Sequence, residues 1–237
     1  MKSIKRLSIV IPVYNEENTI EKIIKRVADV DLGEIKKEII VVNDGSTDGT
    51  GDKLGKIIKS KKLPIVLVNH LKNQGKSMAL RTGFKKMTGD VAVVQDGDLE
   101  YDPNDFKTML AKMMENKVRV VYGSRQLGGR KNHYSGIGFY LGGQVLTLLT
   151  NLLYGGNITD EPTCYKMFET KLLKSIKLES KRFEFCPEVT AKILKSGEKI
   201  YEVPISYNPR NKQQGKKIKL KDFWEAVWML VKNKINV

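Results

Sequence analysis

Residues 90–100 read Asp90-Val-Ala-Val-Val-Gln-Asp-Gly-Asp-Leu-Glu100, a short apolar run that ends abruptly in three carboxylates. An apolar run without alternation is the pattern of a strand covered on both faces, as in a parallel sheet flanked by helices. The same pattern stands at residues 7–13 (Leu-Ser-Ile-Val-Ile-Pro-Val), 38–42 and 65–68. Polar turns and helical stretches follow these runs; Ile20, Ile23, Ile24 and Val27, for example, fall on one helix face. Strands alternating with helices predict βαβ units and an α/β protein with a doubly wound, mostly parallel sheet flanked by helices.

In open α/β sheets ligands bind beyond the carboxyl ends of the strands. Tyr14, Glu16, Asp44, Asp96 and Asp98 all fall there. Asp96 and Asp98 flank Gly97, where the backbone can approach a ligand closely. Such a pair suits a hard divalent cation that also takes diphosphate oxygens, and Glu100 offers a third oxygen ligand. A solvated acidic loop has the same composition, so the motif gains weight from its place after a buried strand. No GxGxxG follows the first strand and no GxxxxGK[ST] occurs, which argues against a dinucleotide-binding dehydrogenase and a phosphate-loop NTPase.

Past residue 125 the alternation weakens. Residues 132–159 contain no Asp, Glu, Lys or Arg, and within them 137–154 form an 18-residue apolar stretch interrupted by Gly138, Gly142, Gly143 and Gln144. A spanning helix needs about 20 mostly apolar residues. The stretch reads instead as an amphipathic helix in a membrane interface or as a buried helix. A terminal helix follows with Phe223, Trp224, Val227, Trp228 and Leu230, so a C-terminal amphipathic helical elaboration is expected.

Five motifs occur in order: Ile11-Pro-Val-Tyr-Asn-Glu16, Val42-Asn-Asp-Gly-Ser-Thr-Asp-Gly-Thr50, Asn73-Gln-Gly-Lys76, Gln95-Asp-Gly-Asp-Leu-Glu-Tyr-Asp-Pro103 and Gly123-Ser-Arg125. Together they resemble family 2 glycosyltransferases of the GT-A fold, in the branch of dolichyl-phosphate mannose synthases and other polyprenyl-phosphate glycosyltransferases. Thr159-Asp-Glu-Pro-Thr-Cys-Tyr-Lys166, Phe183-Glu-Phe185 and Glu202-Val-Pro-Ile205 extend the resemblance over nearly the whole chain.

The resemblance implies one domain over 1–237, with a nucleotide-sugar half (1–125) and an acceptor half (126–237). It implies that Pro12, Tyr14 and Glu16 hold the donor's base and ribose, that Asp44 with Val42 contacts the base, and that Asp96 and Gly97 approach the ribose or metal. Asp98, Glu100 and Asp96 would bind Mg2+ or Mn2+. Relatives often place Gln and Ala where Glu100 and Gly97 stand, and Glu is an equally competent oxygen ligand. Arg125 and Arg210 resemble phosphate-clamping arginines, with Lys216 and Lys217 in the basic loop after Arg210. Arg130, Lys131 and His133 are candidates for the acceptor phosphate, and Asp160 for an acceptor or base role; its bland alternative is a helix cap.

The implied reaction is an inverting, metal-dependent transfer of a hexose or N-acetylhexosamine from GDP-mannose, UDP-glucose or UDP-GlcNAc to dolichyl or polyprenyl phosphate. It would be catalysed by a cytoplasmic protein peripherally bound at the membrane face. The alternative is a soluble or protein-bound hydroxyl acceptor. With 42 Lys and Arg against 27 Asp and Glu, a formal charge of +15 favours polyanionic partners without choosing among them. No recognition-helix, zinc-finger, RRM or KH signature supports a nucleic-acid partner. Cys164 and Cys186 have no CxxC partner, so neither a zinc site nor a disulfide framework is indicated, and both read as reduced thiols.

Overall fold

Seven of the eight residues of strand β1 (Arg6–Val13) are buried, because the strand lies inside the sheet with helices on both sides. The computed structural model describes residues 3–60, 63–127, 136–210 and 220–235. After β1 come α1 (Ile20–Asp29), β2 (Lys36–Asn43), α2 (Thr50–Lys59), β3 (Ile65–Asn69), α3 (Lys76–Lys86), β4 (Val91–Val94), α4 (Asp105–Glu115) and β5 (Val120–Ser124). Then follow α5 (Ile137–Tyr154), β6 (Lys166–Glu169), α6 (Thr170–Ser175), α7 (Phe185–Lys195), β7 (Tyr201–Pro204) and α8 (Leu220–Ile235).

The seven strands form one sheet in the order β3-β2-β1-β4-β6-β5-β7. β1 pairs in parallel with β2 and with β4, so Val10 sits between Ile40 and Val94. Alternate side chains of β1 enter opposite layers, as strand geometry requires. Ile9 and Ile11 pack against Ile20, Ile23, Ile24 and Val27 of α1 and Phe106 and Met109 of α4. Val10 packs with Ile40, Val42, Leu80 and Phe84, and α7 adds Phe185, Val189 and Ile193 to that layer. Each fully buried aliphatic contributes about 1.5–3 kcal/mol, so α1 is held by its four-residue stripe. A Cβ on Gly83 would lie 2.3 Å from Val10 Cγ1, which marks where α3 lies nearest the sheet.

The expected mostly parallel α/β sheet is present, and one strand was not foreseen. β6 runs antiparallel to both β4 and β5 and joins them. Its four residues, Lys-Met-Phe-Glu, offer no apolar run. Lys166 is nevertheless buried, its ammonium donating to the Glu161 carbonyl (2.7 Å) and Thr190 Oγ1 (3.2 Å) and lying 3.6 Å from the Tyr122 ring centroid.

The reading of 137–154 as a buried helix is not upheld. α5 buries only Leu146, Thr147 and Thr150, while Ile137, Leu141, Val145, Leu148 and Leu152 are exposed. It is long and apolar enough to cross a membrane by length and composition. Its inner side meets Ala226 and Leu230 of α8, where the Tyr154 hydroxyl donates to the Leu230 carbonyl (2.5 Å). Trp224 and Trp228 of α8 remain exposed at 64% and 63%.

Candidate active site

The order in which the chain adds strands reverses at β1, with β2 and β3 on one side and β4 on the other, all running parallel to it. Such a switch point opens a crevice at the carboxyl ends. A cleft of about 1390 Å³ lies there, lined at its polar end by Pro12, Tyr14, Glu16, Asp44, Asp96 and Asp98. The same cavity continues past Arg125 and Asp160 to Phe139, Leu146, Phe223, Ala226 and Met229, between α5 and α8.

Four carboxylates and two cations dominate the polar end. Arg210 NH2 donates to Asp98 Oδ2 (2.6 Å), its NH1 to Glu16 Oε1 (3.1 Å), and its Nε to Glu100 Oε1 (3.3 Å). The Tyr207 hydroxyl donates to the other Glu100 oxygen at 2.9 Å. Lys76 Nζ pairs with Asp96 Oδ1 at 2.5 Å and donates to Cys164 Sγ at 3.0 Å. Burial opposes the Asp96 charge most, but the Lys76 ion pair and hydrogen bond, with Cys164 and Arg210, together hold the carboxyl below its usual range. Asp98 behaves oppositely: burial, then repulsion from Asp96 and Glu100, pushes it up to about 7. Burial alone would lower the Arg210 pKa; Asp98, Glu16 and Glu100 raise it instead.

The oxygen-only set of Asp96, Asp98 and Glu100 fits Mg2+ or Mn2+ in chemistry, and the crowding that raises Asp98 is what a bound cation would relieve. Among the described residues no three such side chains are gathered as a ready ligand set; Arg210 and Lys76 answer their charge.

Arg125 and Asp160 form a second, drier pair. Arg125 donates through its backbone N (2.8 Å), Nε (2.7 Å) and NH2 (2.7 Å) to the two Asp160 oxygens, and its guanidinium lies 4.9 Å from the Tyr207 ring centroid. Burial works against the arginine's charge, and Asp160, with Tyr101 and Tyr207, more than offsets it. Asp160 is thus the counter-ion of Arg125.

Of the residues expected at the site, the cleft gathers Pro12, Tyr14, Glu16, Asp44, Asp96, Gly97, Asp98, Glu100, Arg125, Asp160 and Arg210. Val42 is not brought to it: its side chain is fully buried in the layer beneath α3. Arg130, Lys131, His133, Lys216 and Lys217 lie outside the described residues. Cys164 lines the cleft beside Lys76, and both cysteines are free thiols.

Sequence reading missed Lys76, Tyr207 and the 179–184 loop. Lys76 stood in a quoted motif at the start of α3, the one signal that could have found it. The loop is held by fully buried Glu188, which accepts from the backbone of Glu179 (2.7 Å) and Ser180 (2.9 Å). It abuts Gly75, whose φ of +99° favours glycine and where a Cβ would lie 2.4 Å from the Lys181 carbonyl.

The mixed seven-stranded sheet with flanking helices is an α/β fold of the GT-A kind. The chain belongs to glycosyl transferase family 2, whose profile matches residues 8–177. It is 26% identical over 206 residues to dodecaprenyl-phosphate galacturonate synthase of Rhizobium johnstonii, covering 86% of this chain and 59% of that protein. It is 28% identical over 216 residues to dolichol-phosphate mannosyltransferase of Pyrococcus furiosus, covering 89% and 59%. Against UDP-N-acetylglucosamine–dolichyl-phosphate N-acetylglucosaminyltransferase of Methanococcus voltae it is 28% identical over 221 residues, covering 85% of each. The chain therefore spans about three fifths (59%) of the first two relatives. The fold matches glucosyl-3-phosphoglycerate synthase of Mycobacterium tuberculosis, solved with Mn2+, UDP and phosphoglyceric acid, with a TM-score of 0.71 at 18% identity, over 98% of this chain and 79% of that one.

Proposed function

We propose that the protein transfers a hexose or N-acetylhexosamine, with inversion, from a nucleotide diphosphate sugar to dolichyl or polyprenyl phosphate at the cytoplasmic face of a membrane. The observation that carries this reading is one continuous cavity, acidic where a donor diphosphate and its cation would lie and apolar between α5 and α8. The names of the three relatives agree with a polyprenyl-phosphate acceptor.

The reaction asks little proton transfer of the protein. A phosphate monoester, with a second pKa of about 6, is already an anionic nucleophile near neutral pH. Its oxygen attacks the anomeric carbon, and the bond from that carbon to the diphosphate oxygen breaks on the opposite side. Both oxygens of Asp160 accept from Arg125, which supports a positioning role for Asp160 and weighs against the hydroxyl-acceptor alternative, where a free base is needed. Arg125, Arg210 and Lys216 are assigned to the phosphates of the donor, and Arg130, Lys131 and His133 to that of the acceptor. Asp98, Glu100 and Asp96 would hold Mg2+ or Mn2+, whose charge neutralises the departing diphosphate.

The exposed apolar sides of α5 and α8 are assigned to the membrane surface, with the chain's positive charge favouring anionic lipid. Replacing both Trp224 and Trp228 with serine is expected to weaken co-sedimentation with anionic vesicles by roughly 10-fold or more, since two large apolar side chains are lost. Transfer to a short, water-soluble isoprenyl phosphate would stay near the parent rate. Unchanged vesicle binding would exclude this face as the membrane contact.

A further inference from the structure

Cys164 and Cys186 are the chain's two cysteines, and the fold brings both to the wall of the cleft as free thiols. Cys164 lies just before β6 and Cys186 in the first turn of α7. The two thiols are hydrogen-bonded to each other. Cys186 Sγ also donates to the carbonyl of Thr163, the residue before Cys164, at 3.4 Å, and Lys76 Nζ donates to Cys164 Sγ at 3.0 Å. Neither sulfur has a part in the sugar transfer proposed above.

A thiol pair of this kind has chemistry of its own. The thiolate is the nucleophile, and helix N-termini and nearby cations favour it. Cys186 has both kinds of support: it stands in the first turn of α7, and the hydrogen bond from Cys164, with the charges of Lys166 and Lys76, holds its thiol below the usual value against burial and the charge of Glu161. Oxidation-sensitive cysteines are low-pKa thiols that reagents can reach and that have a second thiol beside them. Cys186 is only 9% exposed, but it lines a cleft of about 1390 Å³, which admits a small hydroperoxide.

We propose that Cys164 and Cys186 form an oxidisable dithiol, which a hydroperoxide closes reversibly to a disulfide inside the cleft. The Cys186 sulfur attacks one peroxide oxygen, the O–O bond breaks, and the departing oxygen takes the thiol proton, leaving a sulfenic acid. The Cys164 sulfur then attacks the Cys186 sulfur; the S–O bond breaks and water leaves with the Cys164 proton. Two thiols lose two electrons and one peroxide gains them. The sulfurs start as hydrogen-bond partners and close to the ~2.0 Å of an S–S bond. This inference goes beyond the glycosyltransferase reading and does not rest on it.

The test treats the whole reduced protein, in its native state, with a small molar excess of hydrogen peroxide. Remaining thiols are then alkylated in denaturant, and intact protein and unreduced proteolytic peptides are read by mass spectrometry. The expected result is a monomer lighter by two hydrogens with no alkylatable thiol, a peptide pair joined through Cys164 and Cys186, and recovery of both thiols with dithiothreitol. Both thiols still alkylated after peroxide, disulfides formed only between copies of the chain, or oxidation of either sulfur to a sulfinic acid without the joined pair would overturn the proposal.

Discussion

An Asp98→Asn variant is expected to lose sugar transfer by about 10³-fold or more while becoming more stable at neutral pH. The activity loss follows from the assigned role: one of the oxygen ligands beside the diphosphate becomes neutral, and cation charge at the leaving group is worth several kcal/mol. The stability gain follows from geometry. Asp98 is buried among Asp96 and Glu100, and its pKa is pushed up to about 7 in the folded protein. A carboxyl whose folded pKa is raised binds its proton more tightly folded than unfolded, so ionising it costs stability. That cost is absent below its unfolded pKa of about 4 and grows until the pH passes about 7. The asparagine variant should thus unfold at a higher temperature than the parent at pH 7.5, with the difference shrinking towards pH 5. Function held at the expense of stability is expected where acids are gathered for a ligand. Scanning calorimetry at the two pH values, with a transfer assay on the same samples, separates the effects; a destabilised but active variant would contradict both.

For Asp160→Ala the expected result is a protein destabilised by about 3–5 kcal/mol, the cost of leaving a buried charge without its partner. Arg125 and Asp160 side chains are 12% and 2% exposed and share two short hydrogen bonds, so losing the carboxylate leaves a mostly buried guanidinium without its partner. Urea denaturation gives this directly as a lower midpoint. Near-parental stability combined with abolished turnover would instead identify Asp160 as a base and favour a hydroxyl acceptor.

How much of this could be read in the chain depends on the range of the interactions. β1, β2 and β4 were legible because two-sided burial writes itself as an uninterrupted apolar run, and the acids at their carboxyl ends follow from strand direction. β6 was not, because a four-residue strand containing Lys and Glu carries no periodic signal; its place is set by β4 and β5. Period-two alternation would have placed Val42 with Val10 and Ile40 under α3, away from the cleft, although the motif suggested otherwise. The acid cluster was visible as a motif, but its closure by Arg210 was not: Arg210 is 194 residues from Glu16 and 112 from Asp98 in sequence. His70 and Lys76 were likewise ordinary polar residues until the fold set them against Asp44 and Asp96.

The most direct measurement combines purified protein, Mg2+ or Mn2+, a short polyprenyl phosphate and UDP- and GDP-sugars offered separately, with the organic phase analysed by mass spectrometry. A lipid-phosphate sugar that forms with one of these nucleotide diphosphate sugars and disappears with EDTA is the predicted result. Donor turnover that yields only glycosylated hydroxyl compounds and no lipid-linked sugar phosphate would contradict it.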